Sequence, residues 1–187
     1  MKTKNESIVL YVLRLALTLL AITAVVAAAL AGVNSVTAPV IAQLNEQKTQ
    51  QAIELVLPGG GEEIAAPAVD APAPVGKVYR GESGYAVEVL PSGFDNTITM
   101  MVGVDFEGKV LGISIVSHTE TAGLGAVSAA KTSAGEAFRA QFVGASGSVG
   151  TAKRGTGTMD AITGATITSE AVCTGVNAAL AVAASLG

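Results

Sequence analysis

This chain of 187 residues has no tryptophan, one cysteine and one histidine. A single thiol, Cys173, cannot close an internal disulfide, and with the lone His118 it makes no ligand set for a structural zinc. A nucleophile relay built on histidine has only His118 to draw on, and His118 stands alone in the sequence. Aromatic residues are 4% of the chain, too few to build platforms for stacked bases. Fifteen acidic against eleven basic residues give a net charge of −4, so nothing in the composition suggests nucleic acid, which would call for a basic face. Neither Cys173 nor His118 is set for cofactor chemistry. Such chemistry would have to come from a bound organic group.

The chain does have apolar residues in excess. They make up 50% of it, with mean hydropathy +0.53, and the excess is concentrated in the first forty positions. Residues 15–33 are nineteen in a row without a charge. As a helix this run rises roughly 28 Å, close to the hydrocarbon thickness of about 30 Å. Lys2, Lys4 and Arg14 precede it, and the next basic residue is Lys48. The positive-inside rule then predicts one span across a cell (inner) membrane, with a cytoplasmic N-terminus and an extracytoplasmic C-terminal domain. The competing reading is a cleaved signal peptide, with Ala29-Leu30-Ala31 as its small-x-small site. The length of the run favours a retained anchor in the lipid bilayer.

Residues 37–57 are predicted to form a second helix, since Val40, Ile41, Leu44, Ile53, Val56 and Leu57 recur at helical intervals. Pro39 falls in its first turn, where proline is tolerated. Residues 58–76, rich in proline, glycine and alanine, have no periodicity and read as a tether. The expected division is therefore 1–36 for stub and span, 37–76 for helix and linker, and 77–187 for the folded domain. In that domain, Tyr79 and residues 85–90 suggest a hairpin across Gly81 and Gly84. Residues 97–105 alternate, with Ile98, Met100, Val102 and Val104 on one face. Glu107-Gly108 turns the chain into a strand carrying Leu111, Ile113 and Ile115. One apolar face needs a cover, and residues 129–142 and 169–186 are the candidate helices. The second of these is apolar enough to be mistaken for a span, but Glu170, Asn177 and its length argue for a core helix. The expected class is α+β, a small antiparallel sheet packed with helices behind one N-terminal transmembrane helix.

Residues 160–170 read Asp-Ala-Ile-Thr-Gly-Ala-Thr-Ile-Thr-Ser-Glu. They place the Thr166 hydroxyl after a Gly-Ala turn and before an apolar helix. Gly164 lets backbone amides approach an anion, and the helix start adds unpaired N–H groups and a positive dipole end. The plain alternative is a strand-to-helix turn capped by Thr168 or Ser169. Some forty residues earlier stands Ser-His-Thr-Glu-Thr-Ala-Gly-Leu-Gly-Ala, residues 117–126, and before it the triplet Gly93-Phe94-Asp95. Taken alone, Gly-Leu-Gly is a tight turn.

Together these stretches resemble the FMN-binding domain family of respiratory flavoproteins, well over residues 78–187 and in outline to the N-terminus. The family pattern is Asp-x-x-Ser/Thr-Gly-Ala-Ser/Thr, whose last hydroxyl residue carries FMN through a phosphoester bond; here that residue is Thr166. The family usually has proline where this chain has Ala122, a change that removes neither glycine of the loop. The resemblance implies that Thr163, Gly164, Ala165 and Thr168 attend the phosphate or cap the helix. Asp160 either binds a metal while the ester forms or fixes the turn. Glu120 and Thr121 line the flavin or cap the loop at Gly123, and Gly123, Leu124 and Gly125 bring backbone near the ring or phosphate. No catalytic residue and no resident metal is assigned. A separate flavin transferase, using FAD and magnesium, would make the bond.

Within the family, a short chain with one span and these loops is most similar to the G subunits of Rnf complexes, the ion-translocating ferredoxin:NAD+ oxidoreductases. That implies an electron relay through covalent FMN, with no complete active site of its own and with the other Rnf subunits as partners. One alternative is a C-type subunit of a sodium-translocating NADH:quinone reductase, which shares the plan but is longer. The other is a tethered extracytoplasmic binding domain without cofactor, its glycine loops serving only as turns.

Overall fold

The computed structural model describes residues 2–152 and 157–187, with side chains from Ile8 onward. The basic side chains of Lys2 and Lys4 therefore lie outside the described residues. The chain divides into two compact units, Met1–Asn45 and Glu46–Gly187. The first, where described, is helix.

That helix, α1, runs Lys2–Val56 without interruption and has Pro39 in its interior. The expected second helix is thus the continuation of the first, and Pro39 does not open a new one. A proline in a helix interior removes one hydrogen bond of the ladder, and the helix continues past it on both sides. Ser35 and Thr37 donate their hydroxyls to the Gly32 and Val33 carbonyls, at 2.8 and 3.0 Å, in the turns before the proline. From Ile8 to Leu44 the large apolar side chains are exposed, and the helix is long and apolar enough to cross a bilayer, with mean hydropathy 2.4 over an 18-residue stretch.

The second unit is built on a five-stranded antiparallel sheet whose strands lie in chain order. They are β1 (Glu62–Ile64), β2 (Val75–Arg80), β3 (Gly84–Val89), β4 (Thr99–Asp105) and β5 (Val110–Ser117). The β3–β4 register sets Tyr85 opposite Val104, Val87 opposite Val102 and Val89 opposite Met100, one apolar row on one face. Over this row lies α3 (Thr166–Leu186), with Val172, Val176, Ala179 and Val182 fully buried. The helix expected from residue 169 thus begins three residues earlier, and its apolar character belongs to a core helix. Beside it, α2 (Ser133–Ala140) and the turn after it contribute Phe138 and Phe142, stacked edge to face with centroids 5.5 Å apart.

The other face of the sheet is also covered. Ala52, Ile53, Val56 and Leu57, at and just beyond the end of α1, pack on Tyr79, Ala86 and Met101. Gly103 and Gly112 are cross-strand partners, and together they open a flat place for Val56. Residues 58–76, expected to be a free tether, are partly tied down. Glu62 pairs with Arg80 and Ile64 with Val78, and Ala73 enters the core. Short apolar residues between prolines and glycines carry no periodic signal, but they can still add an edge strand where a neighbour offers unpaired groups.

Cys173 is buried in α3, and burial pushes its thiol up from an ordinary 9.0 to about 11. The native protein should therefore react slowly with disulfide reagents at neutral pH. Because the folded state holds this proton longer than the unfolded state, stability should fall as pH rises from 9 towards 11. Denaturant titrations across that range check this, and Cys173→Ala should flatten the slope.

Candidate functional site

Three segments meet at the amino end of α3, and each is shaped by a local device. The first is the turn 162–165, closed by the Ala165 N–H donating to the Ile162 carbonyl at 2.9 Å. Gly164, third in this turn, has φ +79°, a region glycine enters without strain. Ser169 locks the turn to the helix. Its hydroxyl donates to the Ala165 carbonyl at 2.9 Å and accepts from the Ile162 N–H at 3.0 Å.

The second segment repeats the device. Residues 121–124 form a turn in which the Leu124 N–H donates to the Thr121 carbonyl at 3.1 Å, with Gly123, again third, at φ +76°. Ala122 occupies the second position, where proline is favoured. The departure from the family pattern thus keeps the turn but forgoes a stiffener. Ala122→Pro should stabilise the protein by roughly 0.4–1 kcal/mol through the unfolded chain, read as a raised denaturation midpoint.

The third segment is the loop carrying Gly93, Phe94 and Asp95. Its Phe94 and Asp95 amides donate to one carboxylate oxygen of Glu120, at 2.8 and 3.4 Å. The other oxygen accepts from the Thr168 hydroxyl. Glu120 is 7% exposed and Thr168 1%.

Between these segments lies a cleft of about 340 Å³, lined by Phe94, Glu120, Thr121, Leu124, Gly125 and residues 164–168. Its size falls in the range of small-ligand sites. Phe94, Leu124 and Ile167 are large apolar side chains left 66%, 42% and 49% exposed around it, a wall suited to a flat ring. At its base is the start of α3, whose N-cap is Ala165. Alanine has no side-chain acceptor, so the N–H groups of the first turn lack the usual cap. Uncapped amides at the positive end of a helix of 21 residues favour an anion.

Of the residues expected in the site, Thr166, Gly164, Ala165, Thr168, Glu120, Thr121, Leu124 and Gly125 line this cleft. Thr166 is the first residue of α3 and half-buried. Gly123 shapes the adjacent turn without lining the cleft. Thr163 is exposed beside Gly164 and is not among the lining residues. Asp160 is exposed as well. Its backbone is held by Gln141, whose Oε1 accepts the Asp160 N–H at 2.7 Å and whose Nε2 donates to the Asp160 carbonyl at 3.4 Å. Thr168 and Ser169 do not cap the helix but sit inside it, buried. Phe94 and Ile167 were not among the expected site residues. The Gly93-Phe94-Asp95 triplet signalled the first, whereas nothing in the sequence distinguished Ile167 from a core residue.

This architecture is that of a flavin-nucleotide domain: residues 93–181 match the FMN-binding domain family. The chain is 37% identical, over 91% of itself and 91% of the relative, to the G subunit of the Na+-translocating ferredoxin:NAD+ oxidoreductase complex of Acetobacterium woodii. It is 30% identical, over 87% of itself and 89% of the relative, to the G subunit of the ion-translocating oxidoreductase complex of Methanosarcina acetivorans. It is also 43% identical to the G subunit of the proton-translocating ferredoxin:NAD+ oxidoreductase complex of Clostridium ljungdahlii, over 51% of each chain. The chain belongs to the family of G subunits of ion-translocating oxidoreductase (Rnf) complexes.

Proposed function

We propose that this protein is the electron-carrying G subunit of an Rnf complex, working through FMN esterified to Thr166. The observation that carries the reading is the position of Thr166. Its residue opens α3 at the floor of the cleft, where Ala165 leaves the first-turn amides without a side-chain cap. A phosphodiester there keeps one negative charge, which the helix dipole stabilises by roughly 0.3–1 kcal/mol. Phe94, Leu124 and Ile167 offer the ring an apolar wall and keep water from one side of it. FMN would supply one- and two-electron chemistry that no side chain here possesses.

Attachment would need a flavin transferase. The Thr166 oxygen bonds to the FMN phosphorus of FAD, the pyrophosphate bond breaks, AMP leaves, and the hydroxyl proton passes to solvent or the transferase. Once the ester forms, the cofactor cannot dissociate from a domain outside the cytoplasm. Electrons would enter and leave by contact with neighbouring subunits, and ion movement would belong to multi-span partners. The apolar part of α1 anchors the chain, with the N-terminus cytoplasmic.

The test is to co-express the chain with such a transferase and weigh the peptide containing Thr166. An increment of FMN less water is expected; an unmodified peptide in flavinylating cells would overturn the proposal. A phosphatase reporter fused after Gly187 should be active only if that end is extracytoplasmic.

A further inference from the structure

We infer that Glu120 is a positioning residue of the flavin site, clasping the Phe94 loop and the first turn of α3 together so that both walls of the cleft keep one spacing. The inference rests on the reading that the cleft holds FMN, but its basis is the chain's own geometry. A carboxylate only 7% exposed is tolerated where its lone pairs are used, and those of Glu120 are. Oε1 takes the Phe94 and Asp95 amides, and Oε2 takes the Thr168 hydroxyl. These donors come from positions 25, 26 and 48 residues away in the chain, so the group joins segments that sequence leaves apart.

Two glycines leave room for it. A Cβ on Gly93 would collide with Oε1, and one on Gly125 would crowd both Oε2 and the Thr168 hydroxyl. Bare backbone on two sides lets the carboxylate reach both partners. Phe94 lines the cleft next to the amide that Glu120 holds, and Thr166 and Ile167 immediately precede the threonine that it holds. Releasing the clasp lets the ring-facing wall and the phosphate-facing helix start drift independently. Misplacement of reacting groups by about 1 Å can cost 100-fold in rate.

The full chain is purified without flavin, then incubated with FAD, magnesium and a flavin transferase while covalent flavin is followed over time. Hydrogen exchange at the Phe94 and Asp95 amides is read on the flavin-free protein. Glu120→Ala should lose protection at those amides and load roughly 10- to 100-fold more slowly. Glu120→Gln should recover most of the rate, since its amide oxygen can accept from Phe94 and its NH2 can donate to Thr168. Thr168→Ala should slow loading partially, and the double variant should be no slower than Glu120→Ala, because both remove one linkage. If Glu120→Ala does not fold, the slowing in Thr168→Ala and the rescue in Glu120→Gln still decide the matter. Wild-type protein that loads beside a Glu120→Ala variant that loads equally fast, or keeps its amides protected, overturns the role of Glu120 alone. Wild-type protein that never takes up flavin sinks the reading of the cleft itself.

Discussion

Thr166→Ala is expected to leave a folded domain from which all flavin is lost on denaturation. The substitution removes one hydroxyl from a half-buried position at the start of α3. Alanine is a strong helix former, so the stability change should stay within about 0.5 kcal/mol. Loss of the nucleophilic oxygen, by contrast, is absolute for an ester at that position. Thr168 is buried and its hydroxyl is committed to Glu120, while Thr163 lies outside the cleft lining. In-gel flavin fluorescence after denaturation is the measurement. Thr166→Ser, which restores a hydroxyl, should recover the band, whereas Thr163→Ala should leave it unchanged. Persistent fluorescence in Thr166→Ala would mean that another residue carries the ester.

The second large effect concerns how the end of α1 joins the sheet. A Cβ on Gly103 would overlap the Val56 carbonyl, a backbone atom that cannot rotate away. Gly103→Ala must therefore push the last turn of α1 off β4 or bend the strand. A cost of roughly 1–3 kcal/mol is expected, as for other overpacked cores. Its cross-strand partner provides the control. A Cβ on Gly112 would lie 3.8 Å from Val56, an ordinary contact, so Gly112→Ala should be close to neutral. Equilibrium unfolding of both variants decides this, and equal midpoints would show that α1 does not seat on the glycine pair. The comparison matters for function because Ala52, Ile53, Val56 and Leu57 cover a face that would otherwise expose Met101 and Tyr79.

Much of the second unit was legible because its residues obey local rules. Alternation gave β4 and β5, with Gly108 marking the turn between them at φ +79°. The 85–90 hairpin followed from Gly81 and Gly84. Composition separated the apolar N-terminal helix from the rest, and the Thr-Gly-Ala-Thr stretch named the residue at the mouth of α3. What failed to show had no local signature. Met101 alternates onto the face opposite the apolar row, yet it is fully buried, because its cover comes from a segment 44 to 49 residues earlier. Glu62–Ile64 is too short and polar for a strand pattern and forms only because β2 presents an edge. Pro39 read as a helix start, since sequence rules weigh its lost hydrogen bond and not the helix that continues on both sides of it.

For the site, the same division holds. Residue types and spacing alone set out a hydroxyl beside a Gly-Ala turn, a Gly-Leu-Gly turn and an apolar span, since each depends on neighbours within a few positions. Only the folded chain decided that Glu120 ties residues 94, 95 and 168 and that Phe94 and Ile167 face one cleft. The fold likewise placed Thr163 and Asp160 outside the lining of that cleft. Such outcomes depend on which distant surfaces meet when both faces of the sheet are buried. Periodicity fixes a side chain's face, but its partner is set by long-range packing.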